Sequence, residues 1–226
     1  MRKSKPTFVL RVKVLSGEAE NLKKEICLVV RQLFERGLIF PYGGNISARM
    51  PSSEEYWITS NVYRGRIQPQ DLVRMNLKGE VLEASEKVRP SIEYPMHQAI
   101  YKKRSDVNAV VHSHSPVTTG LTIAGVDLQP ITVEAGLLLK RVKTVSFAPP
   151  GSRVLAEKVA EQAGGDTLAL LLQGHGVVGL GGNLLEAMGV VETLEGLALT
   201  QLSVILVAGR VPTLPEDVLK DFEGWE

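Results

Sequence analysis

Residues Val107–Ile123 read Val-Asn-Ala-Val-Val-His-Ser-His-Ser-Pro-Val-Thr-Thr-Gly-Leu-Thr-Ile, and this stretch indicates the fold class. Its first part, Val107–His114, is rich in valine, which favours a β-strand. We expect a helix over Ser115–Ile123 directly after it. A strand that runs into a helix is typical of layered α/β domains.

The N-terminal region shows two different periodicities. Every second residue is apolar over residues 8–14, which predicts a half-buried strand, an arm laid across a surface or a mobile extension. From Leu22 onward the apolar residues are spaced as in a helix, which we expect Ser16 to cap and Gly37 to end. We therefore assign residues 1–16 to an N-terminal extension and residues 17–226 to one domain.

The remaining segments predict further strands and helices. Apolar and β-branched runs predict four short strands in an antiparallel meander, at Ile46–Met50, Tyr56–Thr59, Leu72–Asn76 and Val81-Leu82. A helix is expected from just after Ser91 to Lys103. We expect further helices at Ala135–Lys140 and Ser152–Ala163 and a strand at Thr167–Leu172. A last helix of about six turns is expected after Asn183. Strands and helices alternate without a repeat, so the fold class is α/β.

Composition excludes several classes of protein. The 226 residues include 26 Lys and Arg against 25 Asp and Glu, a net charge of +1, which argues against a nucleic-acid partner. The single cysteine, Cys27, permits no intramolecular disulfide, so a cytoplasmic protein is the default. We expect no signal peptide and no membrane span. The longest apolar run, Leu194–Ala208, is interrupted by Glu195 and Gln201.

Histidine is scarce in this chain, and three of the four histidines stand in unusual settings. His112 and His114 are two residues apart on a predicted strand, so their imidazoles share one face. His175 lies between two glycines, which permit close approach of a backbone to a ligand or simply form a tight turn. Three imidazoles would suit a catalytic zinc site with an open position. A single histidine on a strand is more often a hydrogen-bonded structural group.

Glu93 and His97 are four residues apart on the second predicted helix and share a face. Beside a metal, Glu93 would act as a fourth ligand or as a general base. The alternative for Glu93 is a capping or surface carboxylate. For His97 we favour a supporting or packing role over a ligand role.

Three segments offer backbone amides or hydroxyls to an anion: Gly43-Gly44-Asn45, Thr59-Ser60-Asn61 and Pro90-Ser91. The last precedes a predicted helix, whose N-terminus favours negative charge. Each segment alone is a weak signal, because such residues commonly form turns. The chain contains no Walker motif and no glycine-rich dinucleotide fingerprint, so nucleotide binding lacks support.

The order of these motifs resembles the class II aldolase/adducin family. The matching motifs are Gly43-Gly-Asn-Ile-Ser, Ile58-Thr-Ser, Arg89-Pro-Ser-Ile-Glu93, Val110-Val-His-Ser-His114 and Gln173-Gly-His-Gly176. The resemblance implies a three-layer α/β/α sandwich around a mostly antiparallel central sheet. It also implies a homotetramer.

The resemblance assigns roles to individual residues. It implies that His112, His114 and His175 bind Zn2+, one ion per chain, with Mn2+ or Co2+ as alternatives. Glu93 would bind the metal at rest and then remove the substrate proton. The substrate phosphate would be held by five residues, Gly44, Asn45, Ser60, Asn61 and Ser91.

The activity implied by the resemblance is that of a zinc-dependent aldolase. Such an enzyme cleaves a small ketose phosphate, of the fuculose-1-phosphate kind, to dihydroxyacetone phosphate and an aldehyde through an enediolate. The same fold carries a ketopentose-phosphate 4-epimerase and a methylthioribulose-1-phosphate-type dehydratase as alternatives. A non-catalytic, adducin-like interaction domain is a less favoured reading, because all three histidines are present. No nucleic-acid or membrane partner is expected.

Two departures from the family pattern bear on mechanism. Ile92 stands where the family's phosphate motif often has a second serine. The segment Ile131–Glu134 lacks the tyrosine that serves as a proton donor in the family, since all five tyrosines lie at or before Tyr101. The tail Asp221–Glu226 offers Trp225 instead.

Overall fold

The computed structural model of the chain describes residues 8–221, with side chains from residue 17 to residue 220. The helices are α1 (Phe8–Glu35), α2 (Tyr94–Lys103), α3 (Pro116–Ile123), α4 (Val133–Leu138), α5 (Arg153–Gln162), α6 (Leu184–Ala208) and α7 (Glu216–Asp221). The strands are β1 (Asn45–Ala48), β2 (Glu55–Thr59), β3 (Leu72–Asn76), β4 (Val81–Glu83), β5 (Ala109–Ser113), β6 (Val142–Val145), β7 (Ala169–Leu172) and β8 (Gly176–Gly181). Trp225 lies outside the described residues.

All eight strands join in one sheet with the order β4-β3-β2-β1-β5-β8-β7-β6. Every neighbouring pair is antiparallel except β6 and β7, which are parallel. The expected meander is present as β1 to β4. In the centre of the sheet β1 lies beside β5, with Asn45 directly opposite His112. This pairing places the Gly43–Asn45 segment next to the two strand histidines.

Helices cover both faces of the sheet. On one face α1 and α6 pack against the strands through a core cluster that includes Ile26, Val30, Leu33, Val191 and Leu194. On the other face α2 and α5 do the same through Met96, Ile100, Leu155 and Val159. The expected three-layer α/β/α sandwich with a mostly antiparallel sheet is thus confirmed.

The N-terminal prediction was wrong at residues 8–16. Helix α1 already begins at Phe8, so no strand forms over residues 8–14 and Ser16 is not a helix cap. Residues 8–16 contain no proline or glycine, and extending an existing helix costs far less than nucleating one. The division between residues 16 and 17 therefore falls inside a helix, and the N-terminal extension remains a prediction.

Two strands, β6 and β8, were not expected. Strand β8 contains three glycines in six residues, Gly176, Gly179 and Gly181, a composition that strands disfavour. Its backbone is nevertheless fully paired between β5 and β7 at the centre of the sheet. Strand β6 is a four-residue edge strand with two exposed positions, too short to predict.

Helix α6 is long and apolar enough, by length and composition alone, to cross a membrane. Its buried residues include Val191, Leu194 and Leu197, and the first two belong to the core on one face of the sheet. Gln201 is also buried, and its side chain binds the backbone of Asp127 and Gln129. One side of the helix is thus packed into the domain, while other apolar residues, among them Leu199 and Leu206, are exposed.

Candidate active site

Four residues from separate segments meet at one end of the central strands. His112 and His114 come from β5 and its end, His175 from the turn between β7 and β8, and Glu93 from the residue before α2. Each offers one ligand atom, and these four atoms all lie within 4.8 Å of one another. The ring centroid of His112 lies 5.0 Å from that of His114 and 4.7 Å from that of His175.

Two glycines make this close approach sterically feasible. A Cβ atom at Gly176 would lie 2.2 Å from the backbone oxygen of Ser113. A Cβ atom at Gly43 would lie 2.8 Å from Nδ1 of His114. Both distances are shorter than real contacts of a Cβ atom, so any side chain at these positions would displace the histidine-bearing strand or His114 itself.

The Glu93 carboxylate is buried between two imidazoles. Its Oε2 lies 3.3 Å from Nε2 of His112, and its Oε1 lies 3.3 Å from Nε2 of His175. Burial alone would raise the pKa of Glu93, but the adjacent His112 and a hydrogen bond from Asn45 hold it below its usual value. Glu93 is therefore ionised at neutral pH and available as a ligand or a base.

Two of the three imidazoles, His114 and His175, are kept neutral by burial, as metal ligands must be. Burial, with His112 nearby, lowers the pKa of His114 to about 4 and that of His175 to about 4, so both rings are neutral at pH 7. Nδ1 of His112 donates to the backbone oxygen of Val177 over 3.0 Å. Because Nδ1 is bonded in this way, Nε2 is the ring nitrogen of His112 that faces Glu93 and that a metal ion would meet.

This donor set fits a metal ion. Among the described residues, Glu93 Oε1, His112 Nε2 and His114 Nε2 are buried without a hydrogen-bond partner. Buried polar atoms are normally satisfied, and a cation would satisfy these three together. Three imidazoles and one carboxylate are ligands that suit zinc, although several transition metals accept imidazole.

A hydrogen-bonded chain supports Glu93 from behind. Asn45 Nδ2 donates to Glu93 Oε2 over 2.7 Å, and Asn45 Oδ1 lies 2.5 Å from Nε2 of His97. The Oγ of Ser47 lies 2.7 Å from Nδ1 of His97 and 2.7 Å from the hydroxyl of Tyr101. His97, Ser47 and Tyr101 are all buried, so the chain is closed to solvent.

The direction of these bonds follows from the chemistry of each group. Because the Asn45 amide nitrogen faces a carboxylate, its oxygen faces His97 and accepts a hydrogen bond from Nε2–H. Burial lowers the pKa of His97 to about 3, so the ring is neutral and Nδ1 accepts from Ser47. His97 thus has the supporting position that we expected. Ser47 and Tyr101 were not singled out, although Tyr101 follows His97 by four residues on the same helix face.

The three segments proposed for anion binding lie together beside this cluster. Ser60 pairs with Pro90 in an isolated β-bridge, and the Ser91 amide donates to the Thr59 oxygen over 3.0 Å. Ser60 Oγ is buried without a partner among the described residues. Asn61 is exposed at the edge of this region.

Arg64 was not anticipated from the sequence, yet it connects two of these segments. Its guanidinium donates to the backbone oxygens of both Gly44 and Ser60.

The Asn45 side chain already bonds to Glu93 and His97, which leaves one amide hydrogen of Asn45 for an anion.

Comparison with known proteins identifies the family. The sequence profile of the Class II Aldolase and Adducin N-terminal domain matches residues 24–202, most of the chain. The chain belongs to the class II aldolase and adducin family.

Individual members of the family resemble the chain closely. It is 33% identical to an L-fuculose phosphate aldolase of Methanocaldococcus jannaschii over 82% of the chain and 98% of that relative. It is 31% identical to a 3-oxo-tetronate 4-phosphate decarboxylase of Escherichia coli K12, over 78% of the chain and 84% of that relative. The solved structure of an L-fuculose 1-phosphate aldolase superposes with a TM-score of 0.81 at 28% identity, covering 89% of this chain and 94% of that one.

These findings confirm the family resemblance and the class II aldolase fold. They also confirm the expectation of an enzyme of the lyase class, since the named relatives are an aldolase and a decarboxylase. The family includes members with different reactions, so the precise activity of this chain is a separate question.

Proposed function

We propose that the protein is a zinc-dependent aldolase that cleaves a small ketose 1-phosphate, of the L-fuculose 1-phosphate type, to dihydroxyacetone phosphate and an aldehyde. One observation carries this proposal. Glu93, His112, His114 and His175 converge with their ligand atoms within 4.8 Å of one another. An adducin-like interaction domain has no need of such a buried set of metal-binding groups.

In this proposal the three histidines and the resting Glu93 hold the ion. A divalent cation bound there would act as a Lewis acid that polarises the ketose carbonyl group. Glu93 is the general base: in the synthetic direction it takes a proton from the carbon next to the carbonyl of dihydroxyacetone phosphate, and in cleavage it returns that proton. Its depressed pKa keeps it ionised, and the bond from Asn45 fixes one of its oxygens.

The substrate phosphate would lie against the three anion-binding segments. Gly44, Ser60, Asn61 and Ser91 supply backbone amides and hydroxyls, and Asn45 supplies its remaining amide hydrogen. The bridge between Ser60 and Pro90 supports this proposal because it joins two of the segments. Ile92, which is 72% exposed, adds no hydroxyl here. We further propose a cytoplasmic homotetramer.

Product identification tests the proposed activity. The metal-loaded protein is incubated with a panel of ketose 1- and 5-phosphates that includes L-fuculose 1-phosphate, and the products are identified by mass spectrometry and proton NMR. We expect dihydroxyacetone phosphate and an aldehyde from a 1-phosphate. Loss of water would favour the dehydratase, and a new epimer would favour the 4-epimerase.

A second candidate is suggested by the relative from E. coli. Its name describes decarboxylation of a 3-oxo acid phosphate, which also creates negative charge next to a carbonyl group. Release of carbon dioxide from a 3-oxo-tetronate 4-phosphate, with no cleavage of any ketose phosphate in the panel, would replace the aldolase assignment by this one.

A further inference from the structure

Arg64 is a buried cation that the chemistry described so far does not use. It begins a short 3-10 turn, Arg64–Arg66, in the connection between β2 and β3. The residue is 2% exposed. No carboxylate among the described residues forms an ion pair with it, which is unusual because buried charges are normally paired.

Within residues 17–220, every hydrogen bond of this guanidinium goes to a backbone oxygen. Nε and Nη2 donate to the Gly44 oxygen over 3.1 and 2.8 Å. Nη1 donates to the oxygens of Ser60 and Val62. Four of the five N–H groups are thereby used, so the hydrogen-bond donors are nearly satisfied. The positive charge, by contrast, has no negatively charged partner among the described residues.

The position of the charge is informative. Gly44 and Ser60 belong to two different segments proposed to bind the substrate phosphate, and Arg64 holds both at once. Ser60 Oγ is itself buried without a partner in the part of the chain that the structure describes. These hydrogen bonds use the donors of the guanidinium, but no acidic side chain among the described residues balances its charge.

We propose that Arg64 is a positioning residue whose unbalanced charge becomes the counter-charge of the substrate phosphate. This inference rests on the proposed function, because it requires a phosphorylated substrate. The guanidinium acts in two ways: it fixes the separation of the Gly44 and Ser60 segments, and it attracts a dianion through a region of low dielectric constant. Burial lowers the pKa of Arg64 to about 10, so the group still carries its charge at neutral pH.

Calorimetric titration with glycerol 3-phosphate tests this proposal on the metal-loaded protein. The probe carries a phosphate monoester but no ketone, and glycerol is the uncharged control. We compare the wild type with Arg64→Gln, which keeps donors but loses the charge, and with Arg64→Lys, which keeps the charge. Arg66→Met is the matched control, because Arg66 is an exposed arginine on the same turn.

Arg64→Gln is expected to weaken glycerol 3-phosphate binding by about tenfold or more, and Arg64→Lys by about threefold or less. Arg66→Met is expected to match the wild type. A folded Arg64→Gln protein with wild-type affinity would overturn the proposal. So would an Arg64→Lys protein that loses ten-fold in affinity, which keeps the test decisive if the glutamine variant does not fold.

The wild type separates this inference from the proposed function. If it binds glycerol 3-phosphate and the Arg64 variants bind equally well, the role of Arg64 is refuted while a phosphorylated substrate stands. If the wild type binds no phosphate monoester, both the counter-charge and the phosphorylated substrate are refuted. Repeating the titration after chelation distinguishes phosphate bound to the metal from phosphate bound at the segments that Arg64 joins. If chelation abolishes all binding of glycerol 3-phosphate, the phosphate binds to the metal alone and the proposal is overturned.

Discussion

Nε2 of His97 lies 2.5 Å from Oδ1 of Asn45, and this contact helps to hold the Asn45 amide with its nitrogen toward Glu93. With Oδ1 held by His97, the amide nitrogen points at the carboxylate and donates to it. A residue with no expected contact to metal or substrate thereby sets the orientation of the proposed base.

Removing this donor is expected to slow the reaction while sparing the metal. His97→Leu leaves the Asn45 amide free to rotate, and we expect kcat to fall by about 10- to 100-fold, as for outer-sphere partners of metal ligands. His97→Gln keeps an N–H group for Asn45, so its kcat should stay closer to the wild type. Steady-state kinetics with metal content measured in each variant checks this, and wild-type kcat in His97→Leu would refute the positioning role.

Metal binding is expected to depend on the three clustered histidines. After dialysis against chelator and reloading, the wild type should contain about one divalent ion per chain, whereas His112→Ala should lose most of it because one imidazole of the set is gone. Elemental analysis measures this directly, with His97→Gln as a control that retains its metal. Full occupancy in His112→Ala would show that the ion, if present, lies elsewhere.

Stability of the metal-free protein is expected to fall as the pH is lowered. His97 has a folded pKa of about 3, below its usual value of 6.5, so the unfolded state binds a proton first as the pH drops. The contribution of His97 to stability is complete above about pH 6.5 and is lost toward pH 3. Between about pH 7.5 and 5.5 the free energy of unfolding falls by about 1 kcal/mol. His114 and His175 shift in the same direction.

The contribution of His97 is isolated by comparison with His97→Gln. Urea unfolding of both proteins in chelator at the two pH values should show a smaller pH-dependent loss in the variant, by about 1 kcal/mol. Equal losses in the two proteins would mean that His97 is not held neutral by burial.

Two glycine substitutions are expected to have opposite effects on stability. Gly176→Ala places a Cβ atom 2.2 Å from the Ser113 oxygen, so the strand must shift, at a cost of about 1–3 kcal/mol. Gly189→Ala is the matched control: Gly189 lies inside α6 with no atom within 4 Å of the added carbon, and we expect about 0.5–1 kcal/mol of stabilisation. Urea denaturation measures both, and an unchanged stability of Gly176→Ala would contradict the close packing of Gly176 against Ser113.

Most of the fold was predictable because its patterns are local. The helix around Leu33, the meander from β1 to β4 and the valine-rich β5 follow from periodicity and propensity. The N-terminal part of α1 was mistaken because alternation over seven residues resembles a strand, whereas helix continuity decides the outcome. Strand β8 was hidden because its three glycines disfavour a strand, whereas in the structure Gly179 and Gly181 admit the close approach of helix α6 and Gly176 that of Ser113.

The site was predictable to the extent that motifs carry it. The spacing of His112 and His114 and the glycines around His175 indicated the cluster. The hydrogen-bonded chain from Asn45 through His97 and Ser47 to Tyr101 was not predictable. It depends on how helix α2 packs against strand β1. Arg64 had no local signal, because its partners are backbone oxygens up to twenty residues away.

Proton exchange tests most directly the claim that Glu93 is the base of a metal-dependent aldolase. The metal-loaded protein and Glu93→Gln are incubated with dihydroxyacetone phosphate in deuterated buffer, and loss of the C3 proton signal is followed by NMR with the zinc content of both verified. We expect exchange by the wild type even though Ile131–Glu134 supplies no tyrosine, and a rate about 10²- to 10⁴-fold lower for Glu93→Gln. Equal rates would exclude Glu93 as the base. No exchange by either protein would contradict the claim that dihydroxyacetone phosphate is a substrate, on which the aldolase assignment depends.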